Sequence, residues 1–238
     1  MASVCLYLHI HQPYRVKRYG LFDVGNDPEY FNHAGAGDLN NAFIIRKVEE
    51  KSYLPTMDML LLLLERHPEF KVSFSVSGVA LEQFMEHAPA VIDRLKQLAA
   101  TGRVEFLGET YYHSLAFFYS KQEFERQVEM HRRLLRALFD VTPRVFRNTE
   151  LAYTNELGVW ADEAGYDGII TEGWEPVLGW RSPNYVYRPQ GAKSTALLLK
   201  NYKLSDDVAF RFSSQDWAEW PLTADKYAQW VHALHGSA

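Results

Sequence analysis

Six carboxylates and three histidines stand where strand-like runs give out. His9, His11 and Gln12 end the first such run, VCLYLHIHQ. Glu105, Glu109 and His113 follow in GRVEFLGETYYHS, Glu150 in VFRNTELAY and Glu172 in IITEGW. Asp206 and Asp207 lie in KLSDDVAFRF. Carboxylates paired in one cleft suit glycoside chemistry. One stays ionised as nucleophile or base, and the other holds its proton as general acid. Residue types alone offer six candidates and do not pair them. His9 and His11 form an H-x-H pair that would share one strand face and could seed a metal site. Neither a D-x-H nor an H-x-x-x-H accompanies it, so the reading is no metal and no cofactor. One imidazole would order a loop and the other would bind sugar. Trp174, Trp180, Trp217 and Trp220 lie in loops near these carboxylates. Their flat faces suit sugar rings, and core packing explains any single one equally well. The competing readings are an Arg147 partner for Glu150, a solvated turn for Asp206 and Asp207, and loop or supporting roles for Glu109 and Glu172.

The elements that would position these groups alternate in type. Strands are expected at 4–11, 70–76, 104–107, 144–149, 168–171, 185–188 and 196–199. Helices are expected at 52–67, 81–101, 121–139, 155–164 and 223–235, with Ser52 and Thr223 as caps. Residues 15–50 read as an irregular, glycine-rich loop of a length that is more often functional than idle. Strand–helix alternation specifies parallel strands with crossover helices, either a barrel or an open doubly wound sheet. The chain lacks a GxGxxG after its first strand and a Walker A motif, which weakens the nucleotide-binding sheets. In a barrel, chemistry gathers at the C-terminal strand ends, where the residues above stand.

Composition narrows the classes. At 238 residues the chain is roughly 1.6 times a typical 150-residue domain, so one large domain fits. With 47% hydrophobic residues and a net charge of −5, a disordered chain is excluded and a nucleic-acid binder disfavoured. The single cysteine, Cys5, excludes an intramolecular disulfide framework. The longest apolar run, Met59–Leu64, is far short of the ~20 residues that span a bilayer. The N-terminus lacks the pattern of a signal peptide, so a cytoplasmic protein without membrane partner is expected. Aromatic residues reach 14%, and five of the six Trp fall after residue 173.

Four segments occur in a fixed order: His11-Gln12-Pro13-Tyr14, Gly102–Glu109 (GRVEFLGE), Phe146–Leu151 (FRNTEL) and Leu204-Ser205-Asp206-Asp207. Together they resemble the motifs of glycoside hydrolase family 57, the α-amylase and 4-α-glucanotransferase family, with flanks most similar to its α-amylase branch. The resemblance spans residues 9 to about 213. It implies an α/β fold, a (β/α)7-type barrel filling residues 1–238 as one catalytic domain. It further implies retaining hydrolysis of α-1,4-glucans, with transfer to an acceptor sugar as a variant. On this resemblance Glu150 is the nucleophile and Asp207 the acid/base, with Asp206 as the alternative. The substrate-binding set is His11, Gln12, Glu105, Glu109, His113, Trp174, Trp217, Trp220 and Asp206. The family's fifth motif and following helical region have no counterpart before Ala238, so the barrel is expected to be unfinished at its C-terminal side. A metal-dependent polysaccharide deacetylase on a related barrel and a weakly active carbohydrate-binding fragment are the alternatives. Oligomeric state is left open.

Overall fold

The computed structural model describes residues 3–31 and 40–234. They cluster into two compact units, Leu6–Arg144 and Val145–Ala238, the latter together with the first five residues.

In the first unit, β1 (Tyr7–Ile10), β2 (Val72–Val76) and β3 (Val104–Phe106) form a parallel sheet in that order. Register and alternation give the sheet two unlike faces. Ile10, Val72, Phe74, Val76 and Phe106 enter a core with Ile45, Met57, Leu64, Phe84, Leu95 and Leu135. On the other face, Tyr7 pairs with Ser73 and Ser73 with Glu105, while His9 pairs with Ser75. Parallel sheets are usually apolar on both faces, whereas this face carries His9, Ser73, Ser75 and Glu105.

Helices cover the apolar face. The expected loop at 15–50 ends earlier than predicted, and its residues 32–39 lie outside the described residues. Asn40 caps α1 (Asn41–Val48) by accepting from the Phe43 N–H, and a π-helical turn, Glu49–Tyr53, carries the chain into α2 (Leu54–Arg66). Ser52 sits inside that turn and is no cap. The helical stretch expected at 81–101 is two helices, α3 (Gly78–His87) and α4 (Pro89–Ala100). Ala88 leaves helical geometry, and Pro89, whose ring suits a first helical position, restarts it. Ser77 caps α3, whose first residue, Gly78, lies three residues ahead of the expected start. The helix α5 (Lys121–Phe139) has the expected bounds, capped by Ser120 and closed by left-handed Asp140.

The second unit repeats the pattern. It contains β4 (Val145–Arg147), α6 (Asn155–Glu163), β5 (Gly168–Glu172), α7 (Glu175–Leu178), β6 (Ala196–Lys200), α8 (Tyr202–Asp206) and α9 (Ala224–Ala233). Its three strands form a parallel sheet in the order β4-β5-β6. Phe146, Ile169 and Leu197 stand in one register row and are buried, with Phe146 edge-on to Trp160. Thr223 caps α9 as predicted; His235, placed in that helix by the sequence, lies outside the described residues. The strand expected at 185–188 is absent: only Tyr187 pairs, in an isolated antiparallel bridge with Leu197. Pro183 and Pro189 flank this stretch and remove two ladder donors. Among the described residues no helix is long and apolar enough to cross a membrane.

Candidate active site

In the first unit the strand ends converge on Glu109. The segment after β3 carries Glu109 under the polar face, where its side chain is fully buried and Oε1 accepts a 2.8 Å hydrogen bond from the Ser75 hydroxyl. Its Oε2 lies 3.3 Å from His113 Nδ1 and 3.9 Å from His9 Nε2. His9, His11 and His113 stack, with centroids 4.8 Å apart for His9–His113 and 4.1 Å for His11–His113. His11 Nδ1 is 2.7 Å from the Ser77 hydroxyl at the end of β2. His113 has φ +54°, a left-handed conformation that costs a non-glycine residue roughly 1–2 kcal/mol.

Behind this cluster α5 contributes His131, which is buried. Its Nε2 lies 2.8 Å from the Val76 carbonyl, and its Nδ1 accepts from the Glu109 N–H at 3.4 Å. That pairing requires the Nε2–H tautomer. Burial lowers the imidazole pKa, opposed by the Glu109 charge and the Val76 bond.

The HQPY segment is fixed mainly by its own side chains. The Gln12 amide donates to Tyr53 and accepts from Arg15, and its backbone carbonyl accepts from Gln83. Tyr14 and Tyr111 both donate to Glu82. The Tyr14 phenol is pushed up to about 12, first by burial and then by the Glu82 charge. Gln12 is thus a strut of the loop. Glu105, by contrast, lies exposed within β3, 3.4 Å from the Ser73 hydroxyl.

In the second unit Glu150 stands three residues past β4. Both Glu150 and Leu151 have left-handed φ, +53° and +55°. The loop is pinned from two sides: the Asn148 amide donates to the Ala152 carbonyl at 2.9 Å and the Thr171 hydroxyl to the Leu151 carbonyl at 3.0 Å. Buried Arg147, Asn148, Thr149 and Leu151 surround a Glu150 that is itself exposed. Non-glycine residues in left-handed backbone persist only where the surroundings hold them, as these two contacts do here.

The aspartates after β6 part company. Asp206 ends α8 and lies 3.6 Å from Lys200 Nζ. Asp207 opens a π-helical turn, is 2% exposed, and takes a 2.5 Å bond from Arg211 Nη1 one turn on. This corrects the solvated-turn reading: the pair is helical, and one member is buried. Glu172, at the end of β5, has its carboxyl pushed up by burial, with the nearby Asp206 charge adding to the effect. Lys200, Tyr202 and Arg147 act in the opposite sense. Trp174 and Trp220 are exposed, 59% and 46%, whereas Trp217 is half-buried edge-on to Trp230 of α9.

The sequence reading missed Ser75, Ser77 and His131 as members of the first cluster, and the partnership of Glu109 with His9. The available signal was E-x-x-x-H at Glu109 and His113, which complements the H-x-H of β1.

Comparison with known proteins extends this picture. Residues 5–237 match the family described as Glycosyl hydrolase family 57. A Methanocaldococcus jannaschii protein named "Putative alpha-amylase" is 42% identical over 229 residues, 95% of this chain and 47% of the relative. The Pyrococcus furiosus protein named "Alpha-amylase" is 24% identical over 85% of this chain and 29% of its own length. The crystal structure of 4-alpha-glucanotransferase from Thermococcus litoralis aligns with a TM-score of 0.63 at 23% identity, covering 87% of this chain and 29% of that one. The chain therefore spans about half or less of the length of these relatives. The structural likeness shows the fold class, α/β of the (β/α)7-barrel type. With a match over nearly every residue, the chain belongs to glycosyl hydrolase family 57.

Proposed function

We propose that the chain, read as one catalytic domain over residues 1–238, cleaves α-1,4-glucans with retention of anomeric configuration. The observation that carries this reading is Glu150, an exposed carboxylate held in left-handed backbone past β4 in a family 57 chain. In the first half-reaction Glu150 attacks the anomeric carbon. Asp207 gives its proton to the glycosidic oxygen, and the aglycone leaves. In the second, Asp207 takes a proton from water, whose oxygen displaces Glu150 from the anomeric carbon. An acceptor sugar hydroxyl in place of water makes the reaction a transfer, and the balance depends on how well water is excluded. Arg211 contacts one oxygen of Asp207, Oδ1, and fixes the position of this side chain. The two carboxyl groups are expected about 5–5.5 Å apart, the retaining separation.

In this reading His11 and exposed Glu105 reach sugar hydroxyls, Trp174 and Trp220 offer stacking faces, and Glu109, His113, Gln12 and Trp217 hold the surroundings in place. Asp206 is the alternative acid/base. The lone cysteine fits a reducing cytoplasm. Incubation with maltoheptaose and product analysis tests the function. Shorter maltooligosaccharides are expected, longer ones as well if transfer competes. A Glu150→Ala variant should lose turnover on the order of 10³-fold or more. Unchanged turnover in that variant would refute the assignment.

A further inference from the structure

Glu109 and His113, which the proposed function uses only as supports, form a compact cluster with His9. Their ligating atoms, one carboxylate oxygen and two imidazole nitrogens, all lie within 4.8 Å of one another. We propose that they bind a divalent, imidazole-preferring cation of the zinc class. Four features support this assignment.

The first is the donor set. Two imidazoles and one carboxylate are a three-ligand set of the kind that holds zinc and leaves a fourth tetrahedral position open. Imidazole ligands select Zn²⁺, Co²⁺ or Ni²⁺ over Mg²⁺ and Ca²⁺, which prefer all-oxygen shells.

The second is spacing. Tetrahedral ligands about 2.0–2.2 Å from zinc sit roughly 3.4 Å from each other. Here Glu109 Oε2 lies 3.3 Å from His113 Nδ1 and 3.9 Å from His9 Nε2. The adjustment falls on His9, whose side chain is 26% exposed.

The third is outer support. Metal-binding carboxylates are held by hydrogen bonds to their second oxygen. The Ser75 hydroxyl fills that role on Oε1 at 2.8 Å and turns Oε2 toward the imidazoles. His131 holds the backbone N–H of the same residue.

The fourth is backbone placement. His113 meets Glu109 from a left-handed backbone conformation, and the ligands are divided between the end of β1 and the segment after β3. A cation would cross-link these two segments across intervening β2 and offset the charge of a fully buried carboxylate.

The site stands independently of the glycosidase reading, because it is defined by metal binding and needs no glucan. The test is titration of the full chain with Co²⁺, a spectroscopic stand-in for zinc, followed by displacement with Zn²⁺. Wild type should develop a visible d–d absorption saturating at one equivalent, with the intensity of four- or five-coordinate cobalt. Zn²⁺ should abolish the band and raise Tm. Glu109→Gln and His9→Ala should each weaken Co²⁺ affinity at least tenfold, as loss of one of three ligands requires. The exposed His9 keeps the test open if Glu109→Gln does not fold. No band in wild type, or a band with unchanged affinity in His9→Ala, would overturn the proposal. Displacement of cobalt by Mg²⁺ as effectively as by Zn²⁺ would also overturn it.

Discussion

Glu150 carries two opposing demands. The proposed mechanism requires its carboxylate where it stands, yet left-handed backbone disfavours any side chain there. Glu150→Ala and Glu150→Gly both delete the carboxylate, but only glycine accepts φ +53° without a Cβ clash. Both variants should therefore be inactive, with the glycine variant about 1 kcal/mol more stable than the alanine one by chemical denaturation. Equal stabilities would mean that the backbone is unstrained in solution. The tryptophans separate in the same way. Trp174→Ala removes an exposed ring and should raise KM about fivefold, the equivalent of roughly 1 kcal/mol of stacking, at little cost in Tm. Trp217→Ala removes the ring packed on Trp230 and should lower Tm.

At the scale of elements, α5 and β2 hold the first cluster through His131. Burial lowers this imidazole's pKa below the ~6.5 of the unfolded chain, so below pH ~6.5 the unfolded state binds the extra proton. The contribution of His131 to stability is thus fully present above that pH. It falls as pH drops toward the folded value, with a slope of at most about 1.4 kcal/mol per pH unit. His131→Gln should flatten the measured stability–pH curve in this acidic window. Gly78 provides a second element-level contact. A Cβ there would sit 2.5 Å from the Tyr111 ring, so Gly78→Ala should cost roughly 1–3 kcal/mol and loosen the Tyr111–Glu82 bond.

Much of the element order was legible because apolar periodicity is local: α5, with Phe124, Val128, His131 and Leu135 on one face, has the expected bounds. The helix α1 was hidden behind a run of glycine and asparagine, and the break at Ala88 depends on Pro89 acting as a start signal. The tyrosine-rich 185–188 stretch looks like a strand, but it is flanked by Pro183 and Pro189, Tyr185 and Val186 are exposed, and only Tyr187 pairs. At the site, motif residues were legible singly. Burial of Glu109 and the Gln12 strut arise from contacts with residues distant in sequence, which periodicity does not carry.

For the whole molecule, the residues of the proposed function lie on both units, His11 and Glu105 in the first and Glu150 and Asp207 in the second. A mechanism run by two carboxylates needs no metal in its covalent steps. Glucan turnover at moderate temperature should therefore survive EDTA, even where chelation lowers Tm through the histidine–glutamate cluster; complete loss of turnover would contradict the double-displacement account. The most direct test is to trap the covalent intermediate with a fluorinated glucosyl donor that slows its breakdown, and to map the adduct by peptide mass spectrometry. The account predicts one glycosyl adduct, on Glu150. An adduct on another carboxylate, or glucan turnover with inverted anomeric products and no adduct, would contradict it.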